Sequence, residues 1–393
     1  VKDFDLVLFG ATGFTGRLVA DYLAGAPARE GRTIRWAIAG RNAQKLEAIS
    51  RELRNVPVIV CNADEPSAIA KCARVVCTTV GPYAKYGSAL VAACAEHGTH
   101  YCDLTGEPHW MRRMIDLHHA RAVATGARIV HTCGFDSIPS DLGTWAAQQE
   151  HIRQTGGPAH SITAVFGEAM GGLSGGTAAS MFTIAEAMSD PAVRRILRHP
   201  YALDPEPDAP HPPQPDNKRP GWDPHLKMFT LPFVMADTNS PVVRRGHALA
   251  GHPWGKDFQY REVMSTPGNA RGLVLATGIV GGLLGLMAVL KRPSLRRMLE
   301  KVTPKPGEGP SEATRMRGHW IVRFVADDRP FYTVADPHGD PGYGSTSRML
   351  GESALCLAHD ELTSPGGVLT PSFAMGHRLV ERLRRAGLTF APM

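Results

Sequence analysis

Residues 6–16 read LVLFGATGFTG, an apolar run that breaks into glycines at positions 10, 13 and 16. A continuous apolar run of this length is the pattern of a strand buried on both faces, as in a parallel sheet covered by helices. Gly10, Gly13 and Gly16 then open a helix. Glycines so placed permit a tight turn, let the backbone approach a pyrophosphate, and let the helix pack closely on the strand. Ala11, Thr12, Phe14 and Thr15 complete the same turn, and the helix start offers free N–H groups and a favourable dipole to phosphate. Residues 10–16 therefore read as a dinucleotide-binding turn.

Outward from that turn the pattern repeats. FDLVLFG, TIRWAIAG, VPVIVCN, RVVCTTV, THYCDL and ARIVHTCG are short apolar runs, with helical stretches between them. Strand and helix alternating in this way give an α/β fold, an N-terminal Rossmann-type doubly wound parallel sheet, expected over residues 1–140. A second, α+β domain is expected over 141–345, where SITAVFGE, FQYREVMST, HWIVRFVADD and PFYTVAD alternate like half-exposed strands. It contains a Pro-rich loop at 200–224, too rich in proline for regular structure. Residues 346–393 return to helix and are expected to pack back on the first domain.

Composition narrows the function. The net charge of +6 and the 43% apolar share describe an ordered globular chain. Lys and Arg are spread along it with no basic arm, zinc finger or RNP-like motif, so no nucleic-acid partner is expected. The seven cysteines form no CxxC pair and several sit in apolar runs. With no basic and apolar leader at the start of the chain, a reducing, cytoplasmic setting is expected. One segment stands apart. Gly272–Leu290 carries no charge and is flanked by Arg271, Lys291 and Arg292. It reads as an element that lines a greasy substrate site or dips into a membrane surface, or as a buried core helix.

The second strand ends AIAGRN. Arg41, with Lys45 one turn later, stands where an NAD site presents a carboxylate to the ribose 2′-OH. A planar guanidinium there suits a 2′-phosphate, so NADP(H) is the expected cofactor. Glu30 has a suitable offset but falls in the turn before the strand. Asp64, after the third strand, reads as an adenine contact or a helix cap. TTVGPYAKYG carries Val80, Gly81, Pro82 and Tyr83 to the carboxyl edge of the sheet, where ligands of open α/β sheets bind. Tyr83 there is a candidate proton donor or a packed turn tyrosine. Asp103, Glu107, Asp136 and Ser137 end the next strands on that edge, as cleft groups or helix caps; Ser137 and Thr177 are further donor candidates. No Tyr-x-x-x-Lys pair and no HExxH occur, and no metal site is expected. GLSGG matches the G-x-S-x-G hydrolase motif at Ser174, or is a backbone loop over the cofactor.

FGATGFTGRL, AGRNAQKLEAI, TTVGPYAKYG, HYCDLTGE, CGFDSIPSDLG, GGTAASM, DPGYGSTSRML and GGVLTPSFAMG together resemble the saccharopine dehydrogenase-like oxidoreductases, and within them the trans-acting enoyl reductase subfamily. The similarity runs nearly end to end. It implies a Rossmann domain with an inserted α+β domain. It further implies NADPH-dependent reduction of the C=C of a long-chain enoyl thioester on an acyl carrier protein or polyketide synthase, as in phthiocerol-type lipid assembly. The greasy segment fits an acyl substrate better than the polyanionic saccharopine. Other readings are an NADP-dependent dehydrogenase or imine reductase of a small polar substrate, and a non-catalytic dinucleotide-binding protein at a membrane. A homodimer through the second domain is a further expectation.

Overall fold

Two seven-stranded sheets organise the chain. The computed structural model describes residues 2–170, 175–215, 220–290, 292–303, 305 and 308–393. The first six strands are β1 (Phe4–Phe9), β2 (Trp36–Gly40), β3 (Val58–Val60), β4 (Ala73–Thr78), β5 (His100–Cys102) and β6 (Arg128–Val130). The next six are β7 (Ser161–Met170), β8 (Gly221–Asp223), β9 (Met228–Pro232), β10 (Gln259–Thr266), β11 (His319–Ala326) and β12 (Arg329–Asp336). Two short strands close the chain, β13 (Gly367–Leu369) and β14 (Thr389–Pro392).

The first sheet has the order β13-β6-β5-β4-β1-β2-β3, and every pairing in it is parallel. Leu6, Val7 and Leu8 of β1 are fully buried, as a central parallel strand requires. The strand order reverses between β1 and β4, the place where doubly wound sheets open a crevice for ligand. The second sheet has the order β14-β12-β11-β7-β10-β9-β8. Its β7 and β10 run parallel and its other pairs antiparallel. Burial alternates along β11 and β12, so one face of this sheet is covered.

The cover is the helix Ile138–Thr155, which starts at the edge of the first sheet and lies on the second. A Cβ at Gly143 would sit 2.5 Å from Cζ of Phe324, so only glycine lets helix and strand approach this closely. One hydrophobic cluster consequently runs from Leu6 and Leu8 of the first sheet to Val322 and Phe324 of the second.

The C-terminal helices Thr346–His359 and Pro371–Arg385 flank β13, and the chain ends by adding β14 to the second sheet. Arg382, 3% exposed, bonds Glu30 at 2.8 Å, Glu352 at 3.1 Å and Asp360 at 2.7 Å. Tyr22 donates its hydroxyl to Glu352 at 2.6 Å, tying the first helix, Phe14–Ala24, into the same cluster.

Two segments differ from simple expectation. The proline-rich stretch is irregular over 201–215 yet packed down: Ala202, Leu203 and Asp204 are buried. Arg244 donates to Pro200 O and Arg245 to Leu203 O, both from the helix Ala236–Leu249. The apolar stretch forms the helix Ala270–Leu290, and only 6% of its most apolar window is buried, so it is not a core helix.

Arg382→Ala would strand buried Glu352 and the half-buried Glu30 and Asp360, and we expect a stability loss of about 2–3 kcal/mol, less than for a fully buried pair because two partners keep some solvent. Urea unfolding measures it; a loss below about 1 kcal/mol would show that the cluster rearranges around solvent.

Candidate active site

The glycine turn is built by backbone contact. Gly10 has φ +102°, and a Cβ there would meet Thr79 Oγ1 and Val80 Cγ2, both at 2.8 Å. A Cβ at Gly16 would collide with the Gly10 carbonyl oxygen, and Gly13 N donates to that same oxygen at 3.0 Å. The helix Phe14–Ala24 has no side-chain cap at its start, so its first N–H groups are left for a phosphate. Ala11 is buried, while Thr12, Gly13, Phe14 and Thr15 are half-buried along the turn. Tyr343 packs edge-on against Phe14 with centroids 5.1 Å apart, and Asp340 holds the Tyr343 and Gly344 N–H groups. The second domain thus braces the turn from above.

Arg41 and Lys45 are exposed beside the end of β2. Asn42 caps the helix Ala43–Glu52 by accepting Lys45 N at 2.9 Å, which sets the helix start between the two cations. Glu30 is engaged elsewhere, by Arg382. Asp64 is exposed after β3 and does not cap the next helix, whose N-cap is Pro66 without a side-chain bond. The backbone cradle and the two exposed cations fit a dinucleotide bearing a 2′-phosphate.

Val80 and Gly81 lie open on the carboxyl edge of the first sheet, with Pro82 buried behind them. A Cβ on Gly81 would lie 3.9 Å from Ser180 Oγ, so the helix Gly175–Ala187 of the second domain passes over this point. Tyr83 turns inward. It is 3% exposed, donates its hydroxyl to Thr78 O at 3.2 Å and accepts Leu104 N at 3.4 Å. Burial pushes its phenol well above the ordinary range. In this geometry Tyr83 packs the turn instead of facing the cleft. Glu107 receives the Tyr83 and Ala84 N–H groups at 2.8 and 2.9 Å. Asp103 accepts the Tyr101 hydroxyl and the Thr105 and Thr132 N–H groups, and pairs with His131 Nδ1 at 2.7 Å. Both carboxylates shape loops. Ser174 lies outside the described residues, and Thr177, on the Gly175–Ala187 helix, has its side chain outside them.

The polar chemistry of the edge gathers at CGFDS instead. Asp136 is half-buried and Ser137 fully buried where β6 leads into the Ile138–Thr155 helix. Ser137 donates to Asn239 Oδ1 at 2.7 Å, and Asn239 donates to Glu262 Oε2 at 3.1 Å. Tyr260 donates to Glu262 Oε1 at 2.7 Å. Burial raises Glu262 to about 7, with Asp136 nearby reinforcing the rise and Ser140, Tyr260 and Asn239 opposing it. Burial likewise raises Asp136 to about 6 against the pull of Asn239. Asp141, one turn into the helix, is raised by burial to about 7 although Ser372 donates to it through both N and Oγ. Asp136, Asp141 and Glu262 are therefore three carboxyls raised by burial around the start of the Ile138–Thr155 helix, with Glu262 bonded to Ser137 through Asn239. Asn239, Tyr260 and Glu262 carry no motif that would single them out in the sequence.

Residues 6–130 match the saccharopine dehydrogenase NADP binding domain family model. Two Mycobacterium tuberculosis proteins carrying the trans-acting enoyl reductase name are 42% and 41% identical to this chain. They cover 99% and 98% of it, and 97% of their own length. A Mycobacterium leprae trans-acting enoyl reductase is 40% identical over 98% of the chain. Among solved structures, apo saccharopine dehydrogenase (L-Glu forming) from Saccharomyces cerevisiae aligns over 99% of both chains with TM-score 0.51 and 13% identity, a likeness of fold. The first domain is an NADP(H)-binding domain.

Replacing Arg41 and Lys45 together with alanine should raise the NADPH dissociation constant about 10–100-fold and leave NADH little changed, the loss expected for charge-assisted bonds. Fluorescence titration with both nucleotides decides it; equal losses would place the 2′-phosphate elsewhere. Glu262 gives a second expectation. Its pKa rises from 4.5 unfolded to about 7 folded, so its contribution is complete below pH 4.5 and is lost as pH climbs towards 7. Asp136 and Asp141 act in the same direction. Stability should therefore fall from pH 5 to 8 more steeply in the wild type than in Glu262→Gln, and parallel profiles would remove Glu262 as a titrating group.

Proposed function

The chain belongs to the trans-acting enoyl reductase family of saccharopine dehydrogenase-like oxidoreductases, and on that premise we propose that it reduces the double bond of an enoyl thioester presented by a polyketide synthase. It is an NADP-dependent oxidoreductase. The observation that carries the reading is kinship over the full chain, joined to a glycine turn with two exposed cations beside β2. A trans-acting enzyme receives its substrate on another protein, here a long acyl chain on an acyl carrier, in the building of a phthiocerol-type lipid.

Bound NADPH supplies the hydride that adds to the β-carbon of the thioester. The displaced π electrons move onto the thioester oxygen as an enolate, and the α-carbon must then collect a proton. Asp136 is the group on the sheet edge with a raised pKa, half-buried as a residue and with a buried Oδ1 that has no hydrogen-bond partner. We assign it that proton. Glu262 stands behind it as a second protonated carboxyl, oriented by hydrogen bonds from Asn239, itself held by Ser137, and from Tyr260. A carboxyl poised near neutral pH suits general acid catalysis.

The test uses NADPH deuterated at its transferable position and a long 2-enoyl group on an acyl carrier protein, read by mass spectrometry. One deuterium at the β-carbon of a saturated product is expected. Asp136→Asn should lower turnover by about 10²–10⁴ while NADPH binds as before. NADPH binding without label transfer at any chain length would favour a small polar substrate.

A further inference from the structure

The helix Ala270–Leu290 has 21 residues, and an 18-residue stretch of it has a mean hydropathy of 2.4, yet it is open to solvent. Leu273, Val274, Leu275 and Leu284 are 50%, 73%, 52% and 67% exposed. Gly278, Gly281, Gly282 and Gly285 have no neighbouring atom within 4 Å of where a Cβ would stand. It packs against β9 and β10 and against the helix that follows it, and Thr266 at the end of β10 donates to Gly272 O in its first turn. The following helix, Pro293–Val302, packs on it and adds exposed Met298 and Val302, one turn apart. At the base of the helix Trp222 is half-exposed, its ring about where a Cβ on Gly268 would touch it. A tryptophan at the root of an apolar helix is the arrangement of a membrane-interface anchor.

Charge identifies the occupant. Between residues 270 and 302 the sequence has Arg271, Lys291, Arg292, Arg296, Arg297 and Lys301 against a single acid, Glu300, and of these Arg296 is engaged by Glu186 at 3.0 Å. The flanks are basic and the shaft uncharged, which suits acyl chains beneath anionic headgroups.

Topology decides how deep the helix goes. Its roughly 30 Å length matches a hydrocarbon core. However, β10 before it and β11 after it both pair with β7 in one sheet. A crossing would oblige residues 291–318 to cross back. Among the described residues of that stretch the longest helix, Pro293–Val302, reaches only roughly 15 Å, half of what a passage through lipid needs. We infer that residues 267–302 are a monotopic foot, inserted in one leaflet, that seats the protein on an anionic membrane surface without spanning it.

The test takes the full chain with NADPH bound and vesicles of phosphatidylcholine with or without phosphatidylglycerol. Sedimentation should show salt-sensitive binding that phosphatidylglycerol strengthens. The double variant Val274→Glu/Leu284→Glu, altered at exposed positions, should lose binding by at least about tenfold. Its NADPH affinity should be unchanged, which excludes misfolding. Equal binding by variant and wild type overturns the inference. So does a wild-type dimer that the variant splits while neither touches vesicles, because the helix would then cover a second copy. Protease cleavage of 291–302 from inside sealed vesicles, with the sheet outside, would equally overturn it by showing a span.

Discussion

At position 143 the chain has no side chain, and the Phe324 ring occupies the space one would need. That close approach lets the Ile138–Thr155 helix serve both sheets. Its first residues close the edge of the first sheet, its middle lies on the second, and a single apolar core joins them. The angle between sheets is then a packing matter, not a hinge. Asn239 and Glu262, which belong to the second domain, reach Ser137 only because this helix holds the two layers together.

The same interior treats its carboxyl groups in two opposite ways. Around Arg382, Glu30 and Asp360 are held below their ordinary range, since a guanidinium bonded to both outweighs their desolvation. Along the Ile138–Thr155 helix no cation answers Asp136, Asp141 or Glu262, and hydroxyl and amide partners cannot offset burial. The first cluster stores charge and fastens the C-terminal helices. The second holds its protons to higher pH, beside the sheet edge at which we propose the reaction. Sequence composition treats all these acids alike; what separates them is the location of one arginine.

Much of the first domain was legible because its signals are local. The six apolar runs of β1–β6 and the glycines at 10, 13 and 16 report on neighbours a few residues away. Arg41 was readable for the same reason, lying directly past the end of β2. Tyr83 shows where such reading stops: its place on the sheet edge follows from the strand, but its inward turn depends on Thr78, Leu104 and the Trp110 ring beside it. Asn239 was hidden twice. It lies in a helix with Pro241 inside, which breaks the pattern of a helix, and its partner Glu262 is on a strand of another layer. β13 and β14 are no shorter than the legible β3, β5 and β6, but they fall outside the regular strand–helix alternation, between and after C-terminal helices.

Those last two strands also bear on how the chain is made. β13 is an edge of the first sheet and β14 an edge of the second, with the Pro371–Arg385 helix between them. As the polypeptide leaves the ribosome, β1–β6 emerge first and the apolar Ala270–Leu290 helix appears well before either closing strand. The first sheet lacks its β13 edge until residue 369 has emerged and the second lacks β14 until residue 392, so both sheets are completed late. During synthesis the nascent chain displays a greasy helix and two unfinished sheet edges, the surfaces that holding chaperones recognise.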